Sequence, residues 1–297
     1  AMLTTLAAAL RGAVIVIFLL VNTLFWAVPV YITALFKLIL PFRTPRQFLD
    51  TILNFLCYAW IYCINGFIGI MKTVEYDVEG LEALRRDEWY LVISNHQSWV
   101  DIIVLQKIFH GRIPFLKYFL KQQLIWMPIL GLAWWALDYP FMKRYSAETL
   151  KRKPYLKGKD IEATKKACAK FKDMPASIMN FVEGTRFTPA KHARQNSPYR
   201  HLLKPRSGGI SYVLSMMGEN MKSVIDVTIV YPDGVETAWE FLRSGKSRIL
   251  VKVEVLPIDE NLCGQDPDDP TYRTRFNDWL NALWEKKDQK IDRLLNA

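Results

Sequence analysis

Cysteine is scarce in this sequence, and its spacing argues against two classes of small domain. There are four cysteines in 297 residues, at positions 57, 63, 168 and 263. No two of them form a Cys-x-x-Cys pair, which argues against a zinc ribbon, and so few argue against a disulfide scaffold. Such usage is typical of a reducing compartment.

Several motifs of nucleotide, metal and nucleophile chemistry are absent. The sequence has no P-loop, no Gly-rich dinucleotide fingerprint and no His-Glu-x-x-His zinc motif. It also lacks the Gly-x-Ser-x-Gly elbow that presents a nucleophilic serine. We therefore expect no metal and no bound cofactor.

Acidic residues are outnumbered by basic ones. Asp and Glu total 29 against 39 Lys and Arg, which gives a net charge of +10 and suggests an anionic partner such as nucleic acid, a phosphorylated metabolite or anionic lipid. Apolar types make up 51% and charged types 23%, so wholesale disorder is excluded. The stretch Phe115–Tyr139 mixes two lysines with Leu, Ile, Met and Trp, which fits a surface on anionic headgroups as well as an ordinary core helix.

Two long uncharged runs lie near the start of the sequence. Residues 12–36 and 51–71 contain no charged side chain. As helices they are about 37 and 31 Å long, against about 30 Å for a bilayer core. They fit either membrane helices or buried core helices. Aromatic residues within them, such as Trp26 and Trp60, resemble interface anchors and favour the membrane.

The link between these runs indicates how they meet the membrane. It carries Lys37, Arg43 and Arg46 against one acid, Asp50. We expect the remainder of the chain to lie in the cytoplasm. If both helices crossed the membrane, these cations would lie on the non-cytoplasmic side, against the positive-inside tendency. We predict that residues 1–71 form a helical hairpin that dips into one leaflet, although two full spans remain the alternative.

Residues 72–297 read as one α/β domain. Buried strands are predicted at 90–95, 177–182, 224–230 and 249–256. Helical patterns lie between and after them, at 102–109, 115–124, 161–171, 209–217 and 272–286. Strands that alternate with helices predict a sheet with helices packed on it.

The segment after the first predicted strand offers a general base. His96 and Asp101 are five residues apart, which on one regular helix would point them about 140° apart. They meet if His96 lies in the strand-to-helix loop and Asp101 in the first helical turn. The carboxylate then accepts a proton from one imidazole nitrogen, and the other nitrogen is free to act as a base.

A second segment follows the strand at 177–182 and offers an anion site. Gly184 permits a tight turn, and Thr185 adds a hydroxyl. Arg186 presents a planar fork suited to phosphate. Glu183 either braces this guanidinium or binds a polyol hydroxyl. An ordinary surface turn with an Arg–Glu pair is the alternative for this segment alone.

Together, the His-x4-Asp segment and Phe181–Arg186 (FVEGTR) resemble the glycerolipid acyltransferase family, whose best-known members make phosphatidic acid from 1-acylglycerol-3-phosphate. Further stretches are similar to family motifs, although Lys143 stands where the family usually has Asp; these stretches are Lys121–Gly131, Phe141–Arg144, Leu203–Gly209 and Ile229–Pro232. The resemblance covers about residues 72–257. It implies a central mixed, mostly parallel sheet flanked by helices, preceded by an apolar two-helix membrane motif.

The resemblance implies acyl transfer from a thioester, acyl-CoA or acyl carrier protein, to the free hydroxyl of lysophosphatidic acid. His96 would be the base and Asp101 its orienting partner. Arg186 would hold the acceptor phosphate, with Lys121 and Arg144 as further candidates. Glu183, Gly184 and Thr185 would complete the phosphate and glycerol site. No nucleophile is visible, so direct attack is preferred over an acyl-enzyme.

Other functions stay open at this point. They are the same chemistry on lysophosphatidylglycerol or lysocardiolipin, hydrolysis of a lipid, and non-enzymatic binding of anionic lipid or nucleic acid. No nucleic-acid module is recognised, so we expect no nucleic-acid partner. We expect location on a bacterial inner membrane with the site on the cytoplasmic face.

Overall fold

The computed structural model describes residues 2–40, 42–139, 141–142, 175–218, 220–263, 266–267 and 269–296, together with residues 152, 162, 168, 169 and 171. Its helices are α1 (Met2–Ile39), α2 (Arg43–Met71), α3 (Val100–Phe109), α4 (Leu130–Ala136), α5 (Pro189–Gln195), α6 (Gly208–Met217), α7 (Ala238–Arg243) and α8 (Pro270–Asn296). Its strands are β1 (Thr73–Glu79), β2 (Trp89–Ser94), β3 (Leu116–Tyr118), β4 (Leu120–Lys121), β5 (Phe141–Met142), β6 (Ser177–Phe181), β7 (Met221–Val230) and β8 (Lys246–Pro257).

Six strands form the central sheet in the order β1-β8-β7-β2-β6-β3. All neighbours in this sheet are parallel except β7 and β8, which are antiparallel. A short parallel pair, β4 with β5, stands apart from it. The mixed, mostly parallel sheet implied by the sequence is confirmed.

The central strand β2 shows why the sheet is covered on both faces. Its residues alternate between two apolar clusters, and Tyr90 to Ile93 are all at most 1% exposed. Leu91 and Ile93 pack with residues of α6 and α8, such as Val213 and Trp284. Tyr90 and Val92 pack with residues of α3, α7 and the first two helices. A parallel strand buried on both faces reads as a continuous apolar run, as this one does.

The apolar helices α1 and α2 pair with each other and run alongside the sheet domain. Near one end of α1, the Arg11 guanidinium donates to the carbonyl of Arg243 at 3.1 Å. Near the other end, Lys37 Nζ lies 2.5 Å from Asp138 and 2.6 Å from Asp50. These contacts are 26 residues apart, or about 39 Å along a helix. Contacts with the sheet domain therefore lie near both ends of α1.

The opposite side of α1 is apolar and uncovered. Both α1 and α2 are long and apolar enough to cross a membrane. Several large apolar side chains of α1 are more than half exposed, namely Leu20, Val21, Leu24, Phe25, Val28 and Ile32. The two helices therefore combine one side that packs on protein with one that meets the surroundings.

One predicted helix is wrong. The sequence pattern suggested a helix at 115–124, but the chain forms β3, β4 and a 3-10 turn at Gln122–Trp126. The reason is tertiary, because β3 pairs with the edge of β6, and such pairing overrides local helical periodicity. Strands β1 and β3 were not predicted. Most of the helix expected at 161–171 lies outside the described residues.

Candidate functional site

Three neighbouring parallel strands bring the two sequence motifs to one edge of the sheet. Strands β7, β2 and β6 are adjacent, and their carboxyl ends face the same way. His96 follows β2, Glu183 follows β6 and Tyr231 follows β7. Ligand sites of α/β sheets lie at the carboxyl ends of parallel strands. The motifs are thus adjacent in space although about 90 residues separate them in sequence.

His96 and Asp101 meet as their spacing predicts. His96 lies in the loop after β2, and Asp101 lies in the first turn of α3. His96 Nδ1 is 2.8 Å from Asp101 Oδ2. The imidazole is 12% exposed and stacks on the ring of Phe181, with centroids 3.8 Å apart. A carboxylate on Nδ1 fixes the neutral tautomer whose Nε2 is a proton acceptor.

The Asp101 carboxylate is fully buried and is held by four donors. Besides His96, Oδ2 accepts from the backbone amides of Gln97 at 2.7 Å and Ser98 at 2.9 Å. The other oxygen, Oδ1, accepts from the Tyr231 hydroxyl at 2.5 Å. These four donors therefore hold the Asp101 carboxylate in one orientation.

Asn95 fixes the loop that carries His96. Its side-chain amide donates to the carbonyl of Ile229 at 2.8 Å and accepts from the amide of Ile229 at 2.9 Å. The side chain thus replaces a neighbouring strand at the point where β2 ends. Asn95 is fully buried, so this pairing is shielded from water.

Glu183 does not lie where the sequence prediction put it. We expected this side chain to brace Arg186 or to bind a polyol, but it is fully buried beneath the loops. Oε1 accepts from the amide of His96 and Oε2 from the amide of Leu203, both at 2.8 Å. Burial raises the pKa of Glu183 to about 8, while these two amides favour its charged form. Glu183 therefore joins the His96 loop to the 203 loop.

The turn after β6 has the geometry that its glycine allows. Gly184 has φ +70°, and its amide donates to the carbonyl of Phe181 at 2.8 Å. Beyond the turn, the amide of Phe187 donates to the carbonyl of His96 at 2.7 Å. Thr185 and Arg186 are therefore held beside the histidine loop.

Arg186 of this turn and Lys191 of α5 place two cations at the site. The Arg186 guanidinium lies 5.0 Å from the ring centroid of Trp99, which is three residues after His96. Lys191 Nζ donates to Thr185 Oγ1 at 2.8 Å and to the carbonyl of Arg186 at 2.9 Å. The turn thus presents an exposed guanidinium, an ammonium and a hydroxyl close to the histidine, a group suited to a phosphate.

Several residues of this site were not predicted from the sequence, and two predicted phosphate ligands are not tested by the structure. Arg144 and the Lys121 side chain lie outside the described residues. Asn95, Trp99, Lys191 and Tyr231 were not predicted. Asn95 and Trp99 flank His96, and Tyr231 ends the strand of a stretch that had been noted, so proximity to motifs was the available signal.

Comparison with known proteins identifies the class. A family model described as Acyltransferase matches residues 75–232, more than half of the chain. The matched stretch contains the His96 loop, the 181–186 turn and Tyr231. The chain belongs to this acyltransferase family.

Curated relatives are about a quarter identical to this chain over the aligned residues. Lysocardiolipin acyltransferase 1 of Mus musculus is 24% identical over 256 residues, which are 78% of this chain and 61% of that protein. 1-acyl-sn-glycerol-3-phosphate acyltransferase 2 of Arabidopsis thaliana is 26% identical over 269 residues, which are 86% and 64%. The chain thus spans about three fifths of the length of these relatives.

A solved structure is also similar over nearly the whole chain. It is the 1-acyl-sn-glycerophosphate acyltransferase PlsC from Thermotoga maritima. The match covers 94% of this chain and 98% of that one, with 17% identity and a TM-score of 0.47.

Replacing Glu183 by Gln tests its bridging role. Both side-chain oxygens of Glu183 accept from a backbone N–H, whereas the amide nitrogen of Gln cannot accept. One backbone N–H therefore loses its partner, and we expect a loss of about 1–3 kcal/mol in unfolding free energy. The pKa of Glu183 is raised in the folded protein from its ordinary value of 4.5 to about 8. Because burial disfavours the charged form, wild-type stability should fall as the pH rises between these two values. This pH dependence should be smaller in Glu183→Gln. Chemical denaturation at pH 5 to 8 measures both effects, and equal stability curves would contradict them.

Proposed function

We propose that this protein is an O-acyltransferase that moves a fatty acyl group from a thioester to the free hydroxyl of a lysophospholipid. Lysophosphatidic acid is the proposed acceptor and phosphatidic acid the product. The single observation that carries the proposal is the pair His96–Asp101 at 2.8 Å, next to a turn with Arg186 and Lys191. A base and an anion site on adjacent strand ends suit a phosphorylated alcohol.

The proposed reaction begins with proton transfer. His96 Nε2 removes the proton of the acceptor hydroxyl, and Asp101 stabilises the imidazolium that forms. The oxygen attacks the thioester carbonyl, the C–S bond breaks, and the imidazolium returns its proton to the departing thiolate. General-base assistance contributes on the order of 10²–10⁴ in rate. The remainder comes from holding two amphiphiles in a reactive arrangement and from oxyanion donors.

The acceptor phosphate is assigned to the turn after β6. Arg186 is the main ligand, and its guanidinium lies over the ring of Trp99, 5.0 Å from the ring centroid. Thr185 and Lys191 add a hydroxyl and a second cation. Glu183 and Gly184 shape the turn from beneath, whereas Arg144 and Lys121 remain candidate cations by sequence alone.

The acyl donor and the acceptor are proposed as chemical classes and not as single compounds. The donor is a fatty acyl thioester of coenzyme A or of acyl carrier protein, which makes the carrier protein a possible partner. A second acceptor class is supported by a relative, since one of them is named for lysocardiolipin. The same base and cation group would serve any lysophospholipid with a phosphate near the reacting hydroxyl.

We propose that residues 1–71 attach the acyltransferase domain, residues 72–297, to anionic lipid. The contacts of α1 with the domain extend over about 39 Å, more than the roughly 30 Å hydrocarbon core. Two crossing helices would carry that domain surface into hydrocarbon. A hairpin that lies in one leaflet, with its uncovered apolar side in lipid, avoids this. The proposed location is the cytoplasmic face of a bacterial inner membrane.

The exposed aromatic residues near α4 support the same orientation. Trp126 is 86% exposed and Trp135 is 41% exposed. They belong to the stretch Phe115–Tyr139, for which the sequence left open a headgroup surface or a core helix. Tyr31 of α1 donates to the carbonyl of Ile129 in this stretch. This stretch and the hairpin therefore form one continuous apolar surface for the bilayer.

Replacing His96 by Ala should lower the rate of acyl transfer by about 10²-fold or more, because the general base is lost. Liposome binding should stay intact. Activity with acyl-CoA and lysophosphatidic acid is measured alongside vesicle co-sedimentation. His201→Ala is the control, because His201 pairs with Asp292 away from the site. Full activity in His96→Ala would refute the proposal, and free fatty acid as the sole product would show a hydrolase.

Replacing Arg186 by Ala should raise the KM of the phosphorylated acceptor, with a smaller effect on kcat, because a ground-state phosphate contact is lost. The KM of the acyl donor should not change. Trp99→Ala should act in the same direction and more weakly. Monoacylglycerol, which has no phosphate, serves as the comparison acceptor, and an unchanged KM for lysophosphatidic acid would remove Arg186 from the phosphate site.

A cysteine introduced near position 43 tests the hairpin. In a cysteine-free background, Thr44→Cys should not react with an impermeant maleimide added from the periplasmic side. Reaction is expected only after the membrane is opened, because the link lies on the cytoplasmic side of the membrane or in the headgroups of the cytoplasmic leaflet. Efficient labelling of intact spheroplasts would instead support two full spans.

A further inference from the structure

The second oxygen of the Asp101 carboxylate has a partner that neither main motif contains. Oδ2 faces His96 and the amides of Gln97 and Ser98, whereas Oδ1 accepts a hydrogen bond from the Tyr231 hydroxyl at 2.5 Å. Asp101 is fully buried and Tyr231 is 4% exposed, so no solvent competes for this bond. The tyrosine thus acts on the carboxylate from the side opposite the histidine loop.

The position of Tyr231 is fixed by the sheet. It is the residue that follows β7, and β7 pairs with β2 in parallel register up to Ser94. Two residues earlier, Ile229 exchanges two hydrogen bonds with the side chain of Asn95. The end of β7 and the loop that carries His96 are therefore held together, which places the backbone of Tyr231 beside the Asp101 carboxylate.

We propose that Tyr231 is a positioning residue that orients the Asp101 carboxylate and lowers the basicity of the His96 imidazole. The inference rests on the proposed function for its kinetic meaning, but its effect on the imidazole is independent of any substrate. Tyr231 does not touch the reacting atoms in this assignment and acts through Asp101.

The physical reason is the division of charge on the carboxylate. A hydrogen bond from the phenol stabilises the negative charge on Oδ1 and so weakens the attraction that Asp101 exerts on the imidazolium. Without it, the carboxylate attracts the proton of His96 more strongly and the imidazole stays protonated to higher pH. A protonated imidazole is not a base, so loss of this bond should move the acid limit of activity to higher pH.

Other ionisable groups around the pair are the same with and without the hydroxyl. Burial raises the pKa of Tyr231 well above its ordinary value, and Asp101 raises it further, so the phenol remains a donor at every pH of interest. Among the described residues, the ionisable groups that face this network from packed elements are Tyr76, Tyr118, Glu183, Glu236, Arg186 and Lys287.

The test is a titration of His96 in the full-length protein. The chain has four histidines, so the His96 signal in NMR spectra of histidine-labelled protein is assigned by its loss in His96→Asn. In Tyr231→Phe we expect the His96 pKa to rise by about one unit relative to wild type. Tyr272→Phe is the matched control, because it also removes a buried tyrosine hydroxyl. That hydroxyl donates to backbone carbonyls in the core on the other side of the sheet, away from Asp101.

Kinetics give a second readout. The acid limb of kcat/KM should move to higher pH in Tyr231→Phe by the same amount as the His96 pKa, and activity should partly recover at alkaline pH. Tyr272→Phe should lower thermal stability without moving this limb. A purely structural role for Tyr231 would reduce stability in the same way and leave the limb in place.

A strengthened bond provides the opposite change if Tyr231→Phe does not fold. Incorporation of 3,5-difluorotyrosine at position 231 makes the phenol a stronger donor, so the His96 pKa should fall. An unchanged His96 pKa in either variant that folds would overturn the inference. If the pKa moves as expected but no lysophospholipid is acylated by the wild type, the positioning role stands and the proposed function fails.

Discussion

A carboxylate that is removed from water has to be compensated by protein donors, and this constraint organises the site. Asp101 has no exposed surface and receives hydrogen bonds from the histidine ring, two loop amides and one phenol. These donors come from the β2–α3 loop and from the end of β7. The start of α3, the loop conformation and the placing of two strands are consequently all tied to one side chain. Glu183 repeats the arrangement one strand away, with amides from two loops on its two oxygens.

The sequence was sufficient where the determining contacts are local. His96 and Asp101 are five residues apart, so a strand end, a short loop and a helix start define their contact. The apolar run of β2 and the paired apolar helices were likewise readable, because burial on two faces and membrane-length segments leave clear composition signals. The family resemblance predicted that the two distant segments, around His96 and around Arg186, form one site. Their spacing in the sequence alone does not predict this.

Long-range contacts explain what the sequence did not reveal. From the sequence, Glu183 was expected either to brace Arg186 or to bind a polyol hydroxyl, with an ordinary surface Arg–Glu pair as the alternative. Its partners are 87 and 20 residues away, so only the folded loops show that it is buried. Tyr231 is 130 residues from Asp101. The error at 115–124 has the same origin, since a segment with mixed periodicity becomes a strand when an open sheet edge lies beside it.

The contact between Arg11 and Arg243 joins residues 232 positions apart, and this separation has a consequence for biosynthesis. At about 5–20 residues per second, a ribosome needs on the order of tens of seconds to make the second partner after the first. During that interval the apolar first helix has no sheet domain to lie against. Early delivery to lipid, or protection by a chaperone, is the way such a nascent chain avoids aggregation before its own scaffold has been synthesised.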